Sequence, residues 1–444
     1  MKNRVIMLAL ALGFTAQADL YVDPINGKNV NCYGVDDAVA AGVPGHGKVY
    51  RNIKPAASLP ANMPWKLDEL SKSPAFEWAD GAAGEKNKKP RSLYYKGEIY
   101  KGNKTKVFAY YATPGILAGD PSKDKSLPAL VLVHGGGGTA FDTWVKLWAS
   151  RGYAAIAMDM KGGNPGVKTR RSDGGPEMGD DVKFGAIEEA ITDQWQYHAV
   201  ADVILAHSLI LSFPEVNPDK TAITGISWGG YLTCIVAGLD DRFRAAMPVY
   251  GCGFLDKNSA WLDRFDKMSP QSRAKWVQLW DPSQYIGAAT MPMFFVNGGT
   301  DHHFRPDSYA KTFELVKSPK NIYYVPSLKH GHIFDKPNET ELFIGHHLMD
   351  GVSLPQVSTP VVNDKEVTAG VETKTKLIKA ELHYTLDATS GENKGRKWIS
   401  QAAKVEQTYI VAALPPKEAT IWFLTVTDER DALVSSQLMF GYNK

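Results

Sequence analysis

The 444-residue sequence predicts an α/β protein in which a mostly parallel sheet flanked by helices is followed by a small β-sandwich. Between about residues 127 and 350, continuous apolar runs such as "ALVLV", "AAIAM" and "MFFVN" alternate with stretches of helical spacing, the pattern of strands buried on both faces. After about residue 355 the helical spacing stops, and strand-like segments divided by turn residues follow. A third observation is "TGISWGGYLT", residues 224 to 233, which sets one serine among glycines between an apolar strand and a helix.

The elements follow in order. Residues 1–18 read as a signal peptide: Lys2 and Arg4 precede an apolar run from Val5 to Phe14, and Ala16-Gln17-Ala18 offers small residues at a cleavage site. That run is about half the ~20 residues needed to span a bilayer, so a secreted or periplasmic protein without membrane insertion is expected. Residues 19–90 are an irregular lead-in rich in Gly, Pro, Asn and Lys, with a short helix at "WKLDELSK", 65 to 72. The α/β unit is assigned to 91–353 and opens on an antiparallel pair in "RSLYYKGEIYKGNKTKVFAYYATP". Strands at "LPALVLVH", "YAAIAMDM", "DKTAITG", "FRAAMPVYG", "MPMFFVNG" and "NIYYVPSL" then alternate with helices at "DTWVKLWASRG", 185 to 212, "YLTCIVAGL", "SYAKTFELVK" and "ETELFIGHHLM", with a helical insertion around 257 to 288. Residues 354–444 form the β-sandwich, whose Trp398 and Trp422 are read as core residues, with a sugar platform as the alternative.

Composition narrows the function. With 44% hydrophobic and 22% charged residues the chain can bury large cores, and a net charge of +2 with mixed signs argues against nucleic acid as a partner. Cys32, Cys234 and Cys252 are too few for a disulfide framework. Cys234 and Cys252 read as buried thiols, a bridge between them being the alternative. No C-x-x-C pair suggests zinc, and neither metal nor cofactor is expected.

Gly225-Ile226-Ser227-Trp228-Gly229 matches G-x-S-x-G, in which a sharp strand-to-helix turn lifts the serine hydroxyl above a sheet. The helix after Ser227 points its positive end at the site, and the Trp228 backbone N–H becomes an oxyanion donor. "LVLVHGGGGTAF" places His134 and Gly135 to Gly138 after a strand, where Gly136 and Gly137 can supply the second donor. No G-K-[ST] follows, which disfavours a nucleotide loop, and His134 reads as a residue fixing the turn.

A serine nucleophile needs a base and an acid, here in the order Ser, Asp, His, each beyond a strand end. Asp301 in "FFVNGGTDHHFRP" meets that position, whereas Asp263 and Asp266 in the insertion follow no strand. "YYVPSLKHGHIF" offers His330, the preferred base, and His332, the alternative. His302 and His303 are expected to line the pocket. The loop Lys161 to Lys183 lies past a strand end, where Arg170 or Arg171 is expected to touch substrate, a solvated surface loop being the alternative.

The HGGGG loop, the elbow, "GGTDHHFRP" and "LKHGH", in that order along the chain, resemble the α/β-hydrolase superfamily, in particular its secreted acetyl xylan esterase, dienelactone hydrolase and prolyl oligopeptidase-like branch. The tail "WFLTVTDERDALVSS" is similar to the C-terminal part of PhoPQ-activated pathogenicity-related proteins. The resemblance implies a serine esterase acting on a small-molecule or polysaccharide ester, with the triad carried onto Ser227, Asp301 and His330. The peptidase members carry a large β-propeller ahead of the hydrolase unit, and fewer than about 100 residues stand there here. A serine peptidase or amidase and a non-catalytic binding protein of the same fold remain the alternatives.

Overall fold

The computed structural model describes residues 20–22, 29–31, 46–81, 87–167, 169–388 and 395–441. The expected signal peptide and Cys32 lie outside the described residues. No helix among the described residues is long and apolar enough to cross a membrane.

The sheet is built from β1 (Arg91–Lys96), β2 (Lys106–Ala112), β3 (Leu127–Val133), β4 (Ala154–Met158), β5 (Val216–Ile226), β6 (Ala245–Val249), β7 (Met293–Gly298) and β8 (Lys320–Val325). Their spatial order is β1-β2-β4-β3-β5-β6-β7-β8. Pairing is antiparallel at β1–β2 and β2–β4 and parallel from β4 to β8. Every residue of β4, β6 and β7 is buried, as the unbroken apolar runs require when helices cover both faces.

The covering helices include α1 (Asp142–Ser150), α2 (Trp195–Ile210), α3 (Trp228–Leu239), α4 (Pro270–Trp280), α5 (Pro306–Leu315) and α6 (Glu339–Met349). All of α2 is buried, consistent with an apolar character that extends around the whole helix. Two of its polar side chains are held inside: His207 bonds Asp240 at 2.8 Å and Thr221 at 2.9 Å, and the Trp195 indole N–H donates to the Met160 carbonyl at 2.7 Å. The predicted single helix over 185 to 212 is shorter than expected. Residues Ala186–Glu188 and Ile191–Asp193 form 3₁₀ turns, and the Gln194 amide donates to the carbonyls of Ile187 at 3.3 Å and Glu189 at 3.1 Å, closing those turns before α2 begins.

Beyond residue 355 the strands are antiparallel: β9 (Glu366–Glu372), β10 (Leu377–Thr385), β11 (Ile399–Val405), β12 (Tyr409–Ala413), β13 (Ile421–Asp428) and β14 (Leu433–Ser435). They pair as β9-β12-β11-β10-β13-β14. The module is not simply appended, because β14 pairs with β8 at Ile322–Ser435 and so continues the main sheet. Trp422 is a core residue, buried and donating to the Gly441 carbonyl at 3.1 Å. Cys234 and Cys252 are free, buried thiols, so no bridge joins them; burial pushes both thiols up.

Candidate active site

Ser227 sits between β5 and α3 at φ +60° and ψ −119°, a conformation that costs a side-chain-bearing residue on the order of 1–3 kcal/mol. The turn is possible because its neighbours are glycines. A Cβ on Gly225 would lie 2.2 Å from the Gly229 carbonyl oxygen, and one on Gly229 would lie 1.9 Å from that of Val133. Both obstacles are backbone, so neither can rotate away. The Ser227 N–H donates to Val249 at 2.9 Å and its carbonyl accepts from Tyr231 at 2.9 Å, which ties the elbow to β6 and to the first turn of α3.

The structure brings Ser227, His330 and Asp301 into one hydrogen-bonded row. The Ser227 Oγ lies 2.9 Å from His330 Nε2, and His330 Nδ1 lies 2.9 Å from Asp301 Oδ2. A carboxylate only accepts, so Nδ1 carries the ring proton and Nε2 is left to accept from the serine. Asp301 is fully buried, and its Oδ1 accepts from the backbone N–H groups of His303 at 2.7 Å and Phe304 at 3.1 Å. The carboxylate is thus held by two main-chain donors on one oxygen and by the imidazole on the other.

His332 is placed elsewhere, with its ring 5.3 Å from that of Phe141 and 5.9 Å from that of Phe334. Burial first, then the neighbouring His330, lowers its basicity. Asp263 and Asp266 are exposed and face Arg264 and Arg273. His303 stands 4.5 Å from His330 and 5.7 Å from Trp261, centroid to centroid, with His302 at 3.9 Å. Burial, then His330 and His302, pushes His303 down to about 4, so it is neutral near pH 7.

The Trp228 N–H opens α3, where no preceding turn offers it a carbonyl. In the glycine loop, Gly135 is the residue closest to the nucleophile: a Cβ there would stand 3.0 Å from Ser227 Cβ and 3.6 Å from its Oγ. A Cβ on Gly136 would meet the Trp228 ring at 2.9 Å, and one on Gly137 would meet open space. His134 fixes the loop as expected. Its Nε2 accepts from the Met160 N–H at 3.0 Å, leaving Nδ1–H to donate to the Gly135 carbonyl at 2.8 Å. Lys161 Nζ donates to the Gly138 carbonyl at 2.9 Å and closes the other end.

Arg170 and Arg171 correct the expectation of a substrate contact. The Arg171 guanidinium is buried and donates to Asp173, to the Gly163 carbonyl, to Asn164 and to the Lys106 carbonyl. Arg170 donates to the carbonyls of Arg171 and Gly174 at 2.8 Å each. Arg170 holds its own loop, and Arg171 also ties that loop to the start of β2. Two residues near the site carry no motif. The Tyr250 ring lies 4.5 Å from His330 and its hydroxyl donates to the Lys329 carbonyl at 2.8 Å, while Lys183, buried, pairs with Asp180 at 2.8 Å beneath the Trp228 ring. Position just past a strand end is the one signal that could have marked Tyr250.

Residues 67–258 match the family model described as acetyl xylan esterase (AXE1), and residues 262–392 match that of PhoPQ-activated pathogenicity-related protein. Ser227 and the glycine loop fall in the first match, and Asp301 and His330 in the second. The acetyl esterase Axe7A of Xylanibacter ruminicola is 22% identical over 194 residues, 41% of this chain and 44% of that protein. An uncharacterized peptidase, YuxL, of Bacillus subtilis is 29% identical over 133 residues, 28% of this chain and 17% of that protein. The chain thus spans less than half the length of these curated relatives. Among solved structures, an acetyl xylan esterase from Paenibacillus sp. R4 aligns with a TM-score of 0.51 at 21% identity, over 63% of this chain and 92% of that one. Acetyl xylan esterase 1 from Thermoanaerobacterium sp. JW/SL YS485 aligns with a TM-score of 0.50 at 18% identity, over 68% and 95%. With this strand order, a serine elbow between β5 and α3 and these alignments, the chain has the α/β-hydrolase fold, with one segment similar to acetyl xylan esterase and the next similar to PhoPQ-activated pathogenicity-related protein.

Proposed function

We propose that the protein is a serine esterase that removes acetyl groups from a carbohydrate such as acetylated xylan. The observation that carries the proposal is the 2.9 Å contact between Ser227 Oγ and His330 Nε2, backed by the 2.9 Å contact between His330 Nδ1 and Asp301. In this reading His330 takes the serine proton as Oγ attacks the ester carbonyl, and Asp301 stabilises the imidazolium. The oxyanion meets the Trp228 N–H and an N–H of the glycine loop. His330 then gives its proton to the leaving alcohol, and a water activated by the same imidazole releases acetate from the acyl-enzyme. No step calls for a metal or cofactor.

The acetyl ester is favoured by the family model over residues 67–258 and by the names of Axe7A and the aligned esterases. Residues 91–353 would form the catalytic unit and 354–444 a β-module, in a chain exported after loss of residues 1–18. The similarity to YuxL, an uncharacterized peptidase, favours a serine peptidase or amidase as the second reading. Purified protein should release acetate from acetylated xylan and turn over an aryl acetate, with both activities lost in Ser227→Ala. Cleavage of an aminoacyl arylamide without any turnover of acetyl esters selects the peptidase.

A further inference from the structure

We infer that Trp398, supplied by the C-terminal β-module, is a positioning residue that sets the place of Asp301. The inference rests on the esterase reading above. The indole N–H of Trp398 donates to the Gly299 carbonyl at 3.0 Å, two residues before the acid. The Gly299 N–H donates to Val325 at 2.8 Å, at the end of β8, so the peptides on both sides of Gly299 are fixed, one by the strand leading to His330 and the other by Trp398.

The fit explains a glycine whose backbone lies outside the left-handed region. A Cβ on Gly299 would stand 2.3 Å from Trp398 Nε1, 2.8 Å from its Cε2 and 2.9 Å from Pro326 Cα. The position is glycine because the indole, in closest approach, and the Pro326 backbone fill the space.

The indole is itself held. Its ring centroid lies 5.4 Å from Phe423 on β13 and 6.1 Å from Tyr324 on β8, both edge-on. Tyr324 is in turn bound to the module, its N–H donating to Ser435 Oγ at 2.9 Å and its carbonyl accepting from that hydroxyl at 2.8 Å. The half-buried ring packs against Phe423 and Tyr324, and its polar atom is committed to the acid loop. From Gly299 the chain runs through Thr300, whose hydroxyl donates to the Leu328 carbonyl at 3.0 Å, to Asp301, whose N–H donates to Gly298 at 3.1 Å. The tether therefore reaches both triad loops, and displacing a catalytic group by about 1 Å can cost on the order of 10²-fold in rate.

The test uses the full-length protein and an aryl acetate. Trp398→Phe keeps a packed ring but deletes the donor; kcat should fall roughly tenfold with KM within about twofold, at a melting temperature close to wild type. Gly299→Ala should lose at least about 100-fold in kcat through the clash with the indole and with the Pro326 backbone. The split between kcat and KM in Trp398→Phe, read beside its melting temperature, separates positioning from loss of fold. Wild-type kcat in Trp398→Phe, or a kcat loss that only follows a loss of folded protein, overturns the positioning role while leaving the esterase reading intact. A wild-type protein without ester turnover overturns both.

Discussion

Replacing Asp301 by Asn and by Ala should separate its catalytic from its structural work. In Asp301→Asn the side-chain oxygen can still accept from the N–H groups of His303 and Phe304, now at 2.7 and 3.1 Å, so the loop keeps its shape. The amide NH₂ then faces His330 Nδ1, which must become an acceptor, and Nε2 takes the ring proton and can no longer receive one from Ser227. The wrong tautomer costs about 10⁴ in kcat in serine hydrolases of known triad, or about 5.5 kcal/mol at 1.36 kcal/mol per decade. Asp301→Ala removes the acceptor altogether, leaving two buried N–H groups unpaired at roughly 1–3 kcal/mol each. The expected pattern is an Asn variant that melts near wild type with kcat down about 10⁴, and an Ala variant equally slow but less stable by about 2–6 kcal/mol. Steady-state turnover of an aryl acetate with thermal melts measures both. An Asn variant within tenfold of wild type would show that Asp301 does not orient the base.

Other predictions follow from the same geometry. His330→Ala should resemble Ser227→Ala, with kcat down by roughly 10⁴ to 10⁶, whereas His332→Ala, which removes a ring packed on Phe141 and Phe334, should stay within about tenfold; the reverse order reassigns the base. Arg171→Ala should lower the melting temperature by several degrees with KM unchanged, because it leaves the Gly163 and Lys106 carbonyls and Asp173 without a buried partner; a raised KM at unchanged stability would return Arg171 to the substrate site. Burial pushes His383, hydrogen-bonded to Ser400 and Thr425, down to about 4. The unfolded imidazole protonates near ~6.5, so His383 favours folding fully above that pH and progressively less as pH falls toward about 4. The stability difference between wild type and His383→Gln should therefore shrink from pH 7.5 to pH 4.5 in denaturant titrations, and a constant or growing difference would refute it.

Much of the sheet was legible because burial on two faces writes continuous apolar runs, and the elbow because backbone crowding at Gly225 and Gly229 admits no other residue. Ordered loops were harder to read. His330 and His332 lie two residues apart in a segment without periodicity, and only the fold shows which ring turns toward Ser227. Arg170 and Arg171 read as substrate contacts because their loop lies past a strand end, yet their partners are carbonyls and side chains of that loop and the Lys106 carbonyl at the start of β2, which leave no sequence signal. The helix predicted over 185 to 212 was too long because apolar spacing continues through residues that Gln194 holds in 3₁₀ turns. Nor does edge pairing mark a sequence: β14 meets β8 through backbone groups and Ser435, and Trp398 reaches Gly299 across 99 residues of chain.

The central claim is that the Ser227 hydroxyl is the nucleophile. A fluorophosphonate reacts with a serine that is both activated and placed beside an oxyanion site, and peptide mapping by mass spectrometry reads out where the adduct sits. One adduct is expected, on the peptide containing Ser227, formed at a rate that parallels loss of aryl acetate turnover, absent from Ser227→Ala and strongly slowed in His330→Ala. An adduct on another serine, or complete loss of activity with Ser227 unmodified, would contradict it.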